Sequence, residues 1–198
     1  SGSPTFGTPE AAKMVLASGQ LARRLGVPLH TVGTLSASKL PDAQSAQEGT
    51  WTLMMAMLGG ANFINHATGW LEGGLVTSFE KTVIDADLCG KLAAFFKGIE
   101  VTDDTLALEA IAAVGPGKHF LGSDHTQEHF KSAFYTSTSS DDNSFEAWQA
   151  EGGRDAAQRA NVRWRELVAE HVDPALDPSV DEELRAFIAR RKADAHAS

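Results

Sequence analysis

The sequence predicts an α/β protein in which helices alternate with short strands. Two apolar segments, residues 28–34 and 61–65, are flanked by glycine or proline and have the length of buried strands. Around them, apolar residues recur at helical spacing between capping residues and glycines. This order of helix, strand, helix, strand and helix indicates βα units around a parallel sheet or barrel.

Capping residues predict the first helices of the chain. Thr8, which a proline follows, starts a helix that ends at Gly26, because its hydroxyl accepts a hydrogen bond from an unpaired N–H group and proline suits the first helical position. Asp42 caps a second helix that closes at Gly59. Ser78 caps a third helix, in which apolar residues recur at helical spacing.

The second half of the chain is more polar between its elements. Thr102 is predicted to open a fourth helix that Gly115 stops, and residues 119–121 to form a short strand. Two further helices with apolar stripes are predicted at about residues 155–172 and 178–192. We therefore expect a partial (β/α) barrel over residues 1–135 and a C-terminal helical extension over residues 136–198.

Length and composition describe an ordinary globular chain of 198 residues with 42% hydrophobic and 22% charged residues. The formal net charge of −9 argues against nucleic acid and against an anionic membrane surface as partners. No apolar run approaches the ~18 residues that cross a bilayer, and the start of the sequence shows no signal peptide. A single cysteine, Cys89, fits a reducing compartment, so we expect a cytoplasmic protein.

The segment from residue 59 to residue 75 is the strongest candidate for a functional site. Its predicted strand ends in Asn65 and His66, and a glycine-rich loop then presents Trp70 and Glu72. Polar side chains at the carboxyl end of a strand face the ligand crevice or barrel mouth in this fold class. The alternative interpretation is a capped strand end with a hydrogen-bonded core histidine.

A five-residue motif offers a second possible chemistry. His125, Glu128 and His129 match the inverted zincin pattern H-x-x-E-H, in which the histidines bind zinc and the glutamate is the base of a hydrolase. The motif is short, so chance matches are common, and Glu146 is the available third ligand. Ser123 or Asp124 would also simply cap a short helix there, and we expect no metal.

Longer blocks of sequence point to one family. They lie in order along nearly the whole chain and comprise residues 2–10, 36–44, 60–75, 114–122, 125–126 and 185–192. Together they resemble the trimethylamine methyltransferase family, the corrinoid-dependent methylamine and betaine methyltransferases. Members are TIM-type (β/α)8 barrels longer than this chain, so the resemblance implies the C-terminal portion of such a barrel. A complete barrel takes roughly 250 residues.

The resemblance also implies a reaction and its partners. Family members move a methyl group from a methylated amine to the Co(I) of a corrinoid protein that docks over the barrel mouth. The chain has only standard residues and so resembles the branch without pyrrolysine, whose substrates include quaternary amines such as glycine betaine. We expect no covalently bound cofactor, a cobalamin-type corrinoid on a partner protein, and either a homo-oligomer or association with the missing barrel half.

Roles for the candidate residues follow from this resemblance. Aromatic faces attract a quaternary ammonium group, and Trp70 is the best candidate, followed by Phe63. Asn65 and His66 offer donors to a substrate carboxylate. Glu72 would balance the cation or bind the corrinoid amides, and His66 and Glu72 are the expected catalytic residues.

Further residues are expected to line the pocket or to contact the corrinoid. They are His119 for the substrate and Gly69, Gly73, Gly74, Lys39 and Gln44 for the corrinoid. Two alternatives to an active methyltransferase stay open, namely an inactive remnant and a subunit of a split barrel. A zinc hydrolase acting through the H-x-x-E-H motif is the less favoured third.

Overall fold

A computed structural model describes residues 5–173 and 176–196 of the chain. The start of the first family block, residues 2–4, lies outside this described part. Helix α1 (Pro9–Leu25) is capped by Thr8 and ends at Gly26 in the left-handed conformation. It packs on helix α2 (Ala43–Leu58), which Asp42 caps. Both helices confirm the boundaries predicted from the capping residues.

Strands β1 (His30–Val32) and β2 (Phe63–Asn65) form a parallel pair in which His30 aligns with Phe63 and Val32 with Asn65. Two backbone hydrogen bonds extend the pairing, from Gly33 N to Asn65 O at 2.7 Å and from Thr34 N to His66 O at 3.1 Å. The carboxyl ends of both strands therefore lie at the same edge, as the βα prediction requires.

The glycine-rich segment after β2 contains a hairpin, where the sequence predicted only a loop. Strand β3 (Trp70–Leu71) pairs antiparallel with strand β4 (Val76–Thr77), and a tight turn over Glu72–Gly74 joins them. Strands of two residues are too short for an alternating pattern to appear in the sequence.

Helix α3 (Phe79–Phe96) follows the hairpin and is capped by Ser78, as predicted. Its buried residues include three charged side chains, Lys81, Asp85 and Asp87. Lysine and aspartate are almost never fully buried without a partner, so each of these side chains is expected to contact an opposite charge or a hydrogen-bonding group.

Two predictions for the middle of the chain are wrong. The expected fourth helix is divided into α4 (Asp103–Leu106) and α5 (Leu108–Val114), because Ala107 adopts φ 51° between them. Residues 119–121, expected as a strand, lie in a stretch of turns before helix α6 (Asp124–His129). Gly117 and Gly122, which flank this segment, favour turns over extended backbone.

The remaining helices are α7 (Phe145–Ala150), α8 (Ala156–Ala169) and α9 (Pro178–His196), of which the sequence predicted the last two. The chain divides into two compact units, Ser1–Arg165 and Glu166–Ser198. The described residues form two sheets of two strands each and no closed barrel. None of the described helices has the length and apolar character needed to cross a membrane.

Candidate functional site

The loops that follow β1 and β2 meet at the carboxyl edge of the parallel pair. Glu72 N donates to Ser38 O at 2.8 Å, and Gly73 N donates to Ser36 O at 2.8 Å. The turn of the hairpin thus rests on the loop that leaves β1. This is the edge at which α/β proteins bind their ligands.

His66 and Trp70 lie in contact within the second of these loops. Their ring centroids are 4.9 Å apart with an interplanar angle of 84°. His66 adopts φ 52°, and its backbone N–H donates to the side chain of Asn65 at 2.9 Å. Its Nδ1 is buried and has no hydrogen-bond partner among the described residues. The ring thus contacts Trp70, and no described residue forms a hydrogen bond with its Nδ1.

The buried carboxylate of Asp85 holds this loop in place. Asp85 Oδ2 accepts hydrogen bonds from Thr34 Oγ1 at 2.7 Å and from Gly69 N at 2.8 Å, and it pairs with Lys81 Nζ at 2.6 Å. The Lys81 and Asp85 side chains are each 2% exposed. One oxygen thus connects helix α3, the end of β1 and the loop that carries Trp70.

Sequence reasoning missed this ion pair, although a signal was present. Lys81 and Asp85 lie on the same helical stripe as Leu88 and Leu92, at i, i+4, i+7 and i+11. An i, i+4 pair of opposite charges usually lies on the solvent-exposed face of a helix. The position of this pair on the apolar face was therefore the signal that it is buried.

A second carboxylate organises the loop after β1. Glu48 Oε2 accepts from Ser36 Oγ at 2.8 Å and from Ala37 N at 2.7 Å, while Glu48 Oε1 accepts from Gln44 Nε2 at 2.9 Å. Lys39 Nζ donates to Ala37 O at 2.8 Å. Both Lys39 and Gln44 are exposed, so they form a polar fringe beside the hairpin turn.

The three glycines expected at the corrinoid have conformational roles within the chain. Gly69, Gly73 and Gly74 all have positive φ, at 82°, 67° and 97°. A Cβ at Gly69 would collide with Thr82 Oγ1, and one at Gly74 would lie 3.3 Å from Leu35 Cδ2. These contacts account for the glycines, and their proposed corrinoid contact stays a prediction.

Phe63 lies on the last strand before the loop. It is 63% exposed, and its ring centroid is 5.4 Å from that of His30. Phe63 and Asn65 are two residues apart on β2 and so share one face of the strand. The structure therefore places Phe63, Asn65, His66 and Trp70 on one strand and the loop that follows it.

His119 is separate from this group. It is exposed and lines a surface pocket of about 1240 Å³, together with residues of α4, α5 and the start of α6. The described residues that line this pocket include none from the segment 63–75. A role of His119 at the amine site therefore has no geometric support in this chain.

The zinc motif has a different third partner from the one expected. His125 and His129 converge on Asp104 of α4, and these three side chains place ligand atoms within 4.8 Å of one another. Among the described residues Glu146, the expected third ligand, belongs to no such group. Asp104 lies 21 residues before His125, a separation that no short motif reveals.

Cys89 lies beneath the same loop and is not suited to be a nucleophile. Its Sγ is 3.7 Å from Ala67 O. Burial, together with the negative charge of Asp85, raises the pKa of the Cys89 thiol above its usual value. The thiol is therefore protonated at neutral pH, and thiols react as thiolates.

Comparisons with known proteins give one consistent result. The family model described as trimethylamine methyltransferase (MTTB) matches residues 1–196. A glycine betaine methyltransferase of Desulfitobacterium hafniense is 44% identical over 191 residues, which are 96% of this chain and 40% of that protein. A trimethylamine methyltransferase of Methanosarcina mazei is 33% identical over 189 residues, which are 94% of this chain and 37% of that protein.

The chain thus spans about two fifths of the length of these relatives. The match nevertheless covers both loops of the candidate site and every described residue. The chain belongs to the trimethylamine methyltransferase family.

Proposed function

We propose that this chain supplies the amine-binding part of a methyltransferase that moves a methyl group from a quaternary or tertiary methylamine to the Co(I) corrinoid of a partner protein in the cytoplasm. The observation that carries the proposal is the contact between His66 and Trp70 at the carboxyl edge of a parallel strand pair, in a member of this family. The likeness to a glycine betaine methyltransferase supports a quaternary amine as substrate.

The aromatic residues are suited to the cationic end of such an amine. A permanent charge gains about 0.5–2 kcal/mol from each aromatic face that it meets. Trp70 is held by the hairpin, and Phe63 is exposed on β2, the strand that precedes it in the sequence. Glu72 follows Trp70 by two residues and adds a carboxylate that balances the positive charge.

The polar residues are suited to the carboxylate of a betaine. Asn65 is exposed at the end of β2 and offers an amide donor. His66 Nδ1 is a buried polar atom without a partner among the described residues, so a hydrogen bond to a ligand would remove an unfavourable state. We assign to His66 the orientation of the substrate.

Methyl transfer from a quaternary amine requires few further contributions from the protein. The corrinoid, when bound, would supply the electron pair that takes the methyl group, and the C–N electron pair would stay on nitrogen. A quaternary substrate then leaves as a neutral amine, and a tertiary substrate does so only when it binds as the protonated ammonium ion. No proton has to be delivered to a quaternary nitrogen. The residues of this chain therefore contribute alignment and exclusion of water, and Lys39 and Gln44 offer polar contacts to the corrinoid amides.

We also propose that β1 and β2 are two neighbouring strands of a TIM-type barrel. Their parallel pairing and shared carboxyl edge suit that fold, and both loops with candidate residues leave from this edge. The remaining strands would come from sequence outside these 198 residues or from another polypeptide.

A methyl-transfer assay tests the proposal. The chain, alone and together with the complementary part of a full-length relative, is mixed with a Co(I) corrinoid protein and with glycine betaine or trimethylamine. Formation of the methylated corrinoid is followed by its absorbance. We expect transfer from at least one amine once the barrel is complete.

Two tryptophan variants give the assay a matched comparison. Loss of one cation–π contact, worth about 0.5–2 kcal/mol, predicts a roughly 2- to 30-fold lower kcat/KM for Trp70→Leu. Trp148→Leu removes a tryptophan of α7 that packs on Phe145, and it should leave the rate unchanged. No transfer from a broad amine panel, with or without the complementary part, would mean an inactive remnant and overturn the proposal.

A further inference from the structure

A group of three ligand-type side chains lies outside the candidate amine site. Asp104 belongs to the short helix α4, and His125 and His129 lie one turn apart on α6. The two imidazole rings pack together with centroids 4.5 Å apart. Helices α4 and α6 are thus brought together by polar side chains that all belong to the usual set of metal ligands.

The distances within this group fit one metal ion. Two ligand atoms bound at about 2.0–2.1 Å by a tetrahedral zinc lie about 3.4 Å from each other. His129 Nε2 and His125 Nε2 lie 3.2 Å and 3.7 Å from the same carboxylate oxygen, Asp104 Oδ1. The metal-free positions therefore lie on either side of the value that zinc requires, and small side-chain rotations suffice to reach it.

The group is also accessible from solvent. The side chains of His125 and His129 are 31% and 38% exposed, and that of Asp104 is 58% exposed. Asp104 and His125 line the surface pocket of about 1240 Å³ that also contains His119. A cation can enter from this side, and a fourth coordination position would open into the pocket.

We propose that Asp104, His125 and His129 form a binding site for a divalent zinc-type cation with two nitrogen ligands and one oxygen ligand. The site joins α4 to α6 and leaves one position for water or a small anionic ligand. It differs from the H-x-x-E-H hydrolase pattern because its third ligand is Asp104 and it gives Glu128 no role. It does not depend on the methyl-transfer proposal.

The site requires a change in hydrogen bonding. His125 Nε2 lies 2.9 Å from the backbone carbonyl of Asp104 and can donate to it when no metal is bound. A bound metal takes Nε2 as its ligand, so the ring proton moves to Nδ1. Without metal, the backbone carbonyl of Asp104 accepts a hydrogen bond from the His125 ring. With metal, the Asp104 carboxylate and the His125 ring bind the same ion.

Zinc titration of the chain without a polyhistidine tag tests the proposal. Isothermal calorimetry should give one Zn²⁺ per chain, and Co²⁺ as a spectroscopic substitute should show the visible bands of a site with nitrogen and oxygen ligands. Asp104→Asn, His125→Ala and His129→Ala should each weaken binding by at least about 100-fold, because losing a direct ligand costs no less than losing a residue that only orients one.

Two control variants lie close to the site. Asp103→Asn removes the neighbouring carboxylate of α4, and His119→Ala removes a histidine of the same pocket. Both should keep the affinity for Zn²⁺ and the Co²⁺ spectrum, and circular dichroism should show the same helix content in every variant. The absence of stoichiometric zinc binding, or an equal loss in the controls, would overturn the assignment.

Discussion

Asp85 is the single residue on which the geometry of the candidate site depends most. Its Oδ2 holds Thr34 at the end of β1 and Gly69 in the loop after β2, and it neutralises Lys81. A buried charge without its partner is strongly destabilising. Both the position of the Trp70 loop and the stability of the chain therefore depend on this carboxylate.

Replacing Asp85 by asparagine tests this role. We expect Asp85→Asn to lower the free energy of unfolding by about 3–5 kcal/mol, because it leaves the Lys81 ammonium buried without a counter-charge. Urea unfolding followed by circular dichroism measures the change. The double variant Lys81→Met/Asp85→Asn should recover part of the loss, since neither buried charge then remains.

The matched control is an i, i+4 pair that is exposed to solvent. Arg185 Nε lies 2.7 Å from Asp181 Oδ2 on α9, with side chains 78% and 40% exposed. Asp181→Asn should leave the unfolding midpoint unchanged, because exposed pairs are screened by water. Equal effects of the two asparagine substitutions would contradict the role given to burial.

For single residues, the sequence predicted which candidate side chains lie in the loop, but not the contacts that hold the loop in place. Asn65, His66, Trp70 and Glu72 are adjacent in sequence, so a strand end and a glycine-rich loop are enough to group them. The contacts of Asp85 join residues 16 and 51 positions away, and no local pattern encodes such contacts.

Among the secondary-structure elements, α3 and α8 are joined by one carboxylate. Glu80 Oε1 accepts from Asn161 Nδ2 at 2.7 Å and from Trp164 Nε1 at 2.9 Å, and the rings of Phe79 and Trp164 stack with centroids 4.9 Å apart. The hydrogen bond from Asn161, with smaller help from Trp164 and Ser78, outweighs desolvation and lowers the pKa of Glu80 to about 2.

The attachment of α8 should therefore depend on pH. Glu80 ionises more readily in the folded chain, so its contribution is fully present above its ordinary value of 4.5 and is lost as the pH falls toward about 2. Unfolding free energies measured across this interval should decrease, and Glu80→Gln should decrease less steeply.

Asp87 adds to the same acid sensitivity and explains why Glu80→Gln should remove only part of it. Burial opposes ionisation of Asp87, but hydrogen bonds from Ser137, Lys91, Thr138 and Ser139 outweigh it and hold its pKa well below the usual range. These contacts tie the polar loop before α7 to α3. An unchanged pH slope in Glu80→Gln would contradict the assignment to Glu80.

Helices were predictable from the sequence where a capping residue stands at their first turn. Thr8, Asp42 and Ser78 each accept a hydrogen bond from the first turn of their helix, and this signal is local. The break at Ala107 has no such signal, because alanine rarely adopts positive φ. The hairpin after β2 depends on tertiary contacts with Ser36 and Ser38, which the sequence of the hairpin does not contain.

For the molecule as a whole, the described sheets are small and many apolar side chains face solvent. The parallel pair has two strands, and both of its outer edges lack a paired strand among the described residues. Large apolar residues that are well exposed include Leu75 at 77%, Phe134 at 83% and Ile99 at 93%. Open strand edges and apolar surface favour association with another polypeptide.

We expect the isolated chain to self-associate. Sedimentation equilibrium should give an average mass above the 21.1 kDa of one chain, rising with concentration. Phe63→Lys places a charge on exposed strand β2 and should reduce association. Phe145→Lys, which changes an equally exposed phenylalanine of α7, should reduce it less.

A chain that stays monomeric over a wide concentration range would contradict this prediction. Addition of the complementary part of a full-length relative should convert the self-associated chain to a one-to-one complex, if the strands of a barrel are completed in this way.

The α/β class itself was predictable from the order of the elements. The number of strands was not, because the two-residue strands β3 and β4 are too short to leave an alternating pattern in the sequence.

The anchoring of the Trp70 loop by Asp85 also bears on redesign. Anyone who grafts a new loop between β2 and α3 to change substrate preference must keep a backbone N–H at the position of Gly69 aimed at that carboxylate. The graft must also keep the contacts of the hairpin turn with Ser36 and Ser38, and a graft that loses either set would sacrifice the scaffold together with the specificity.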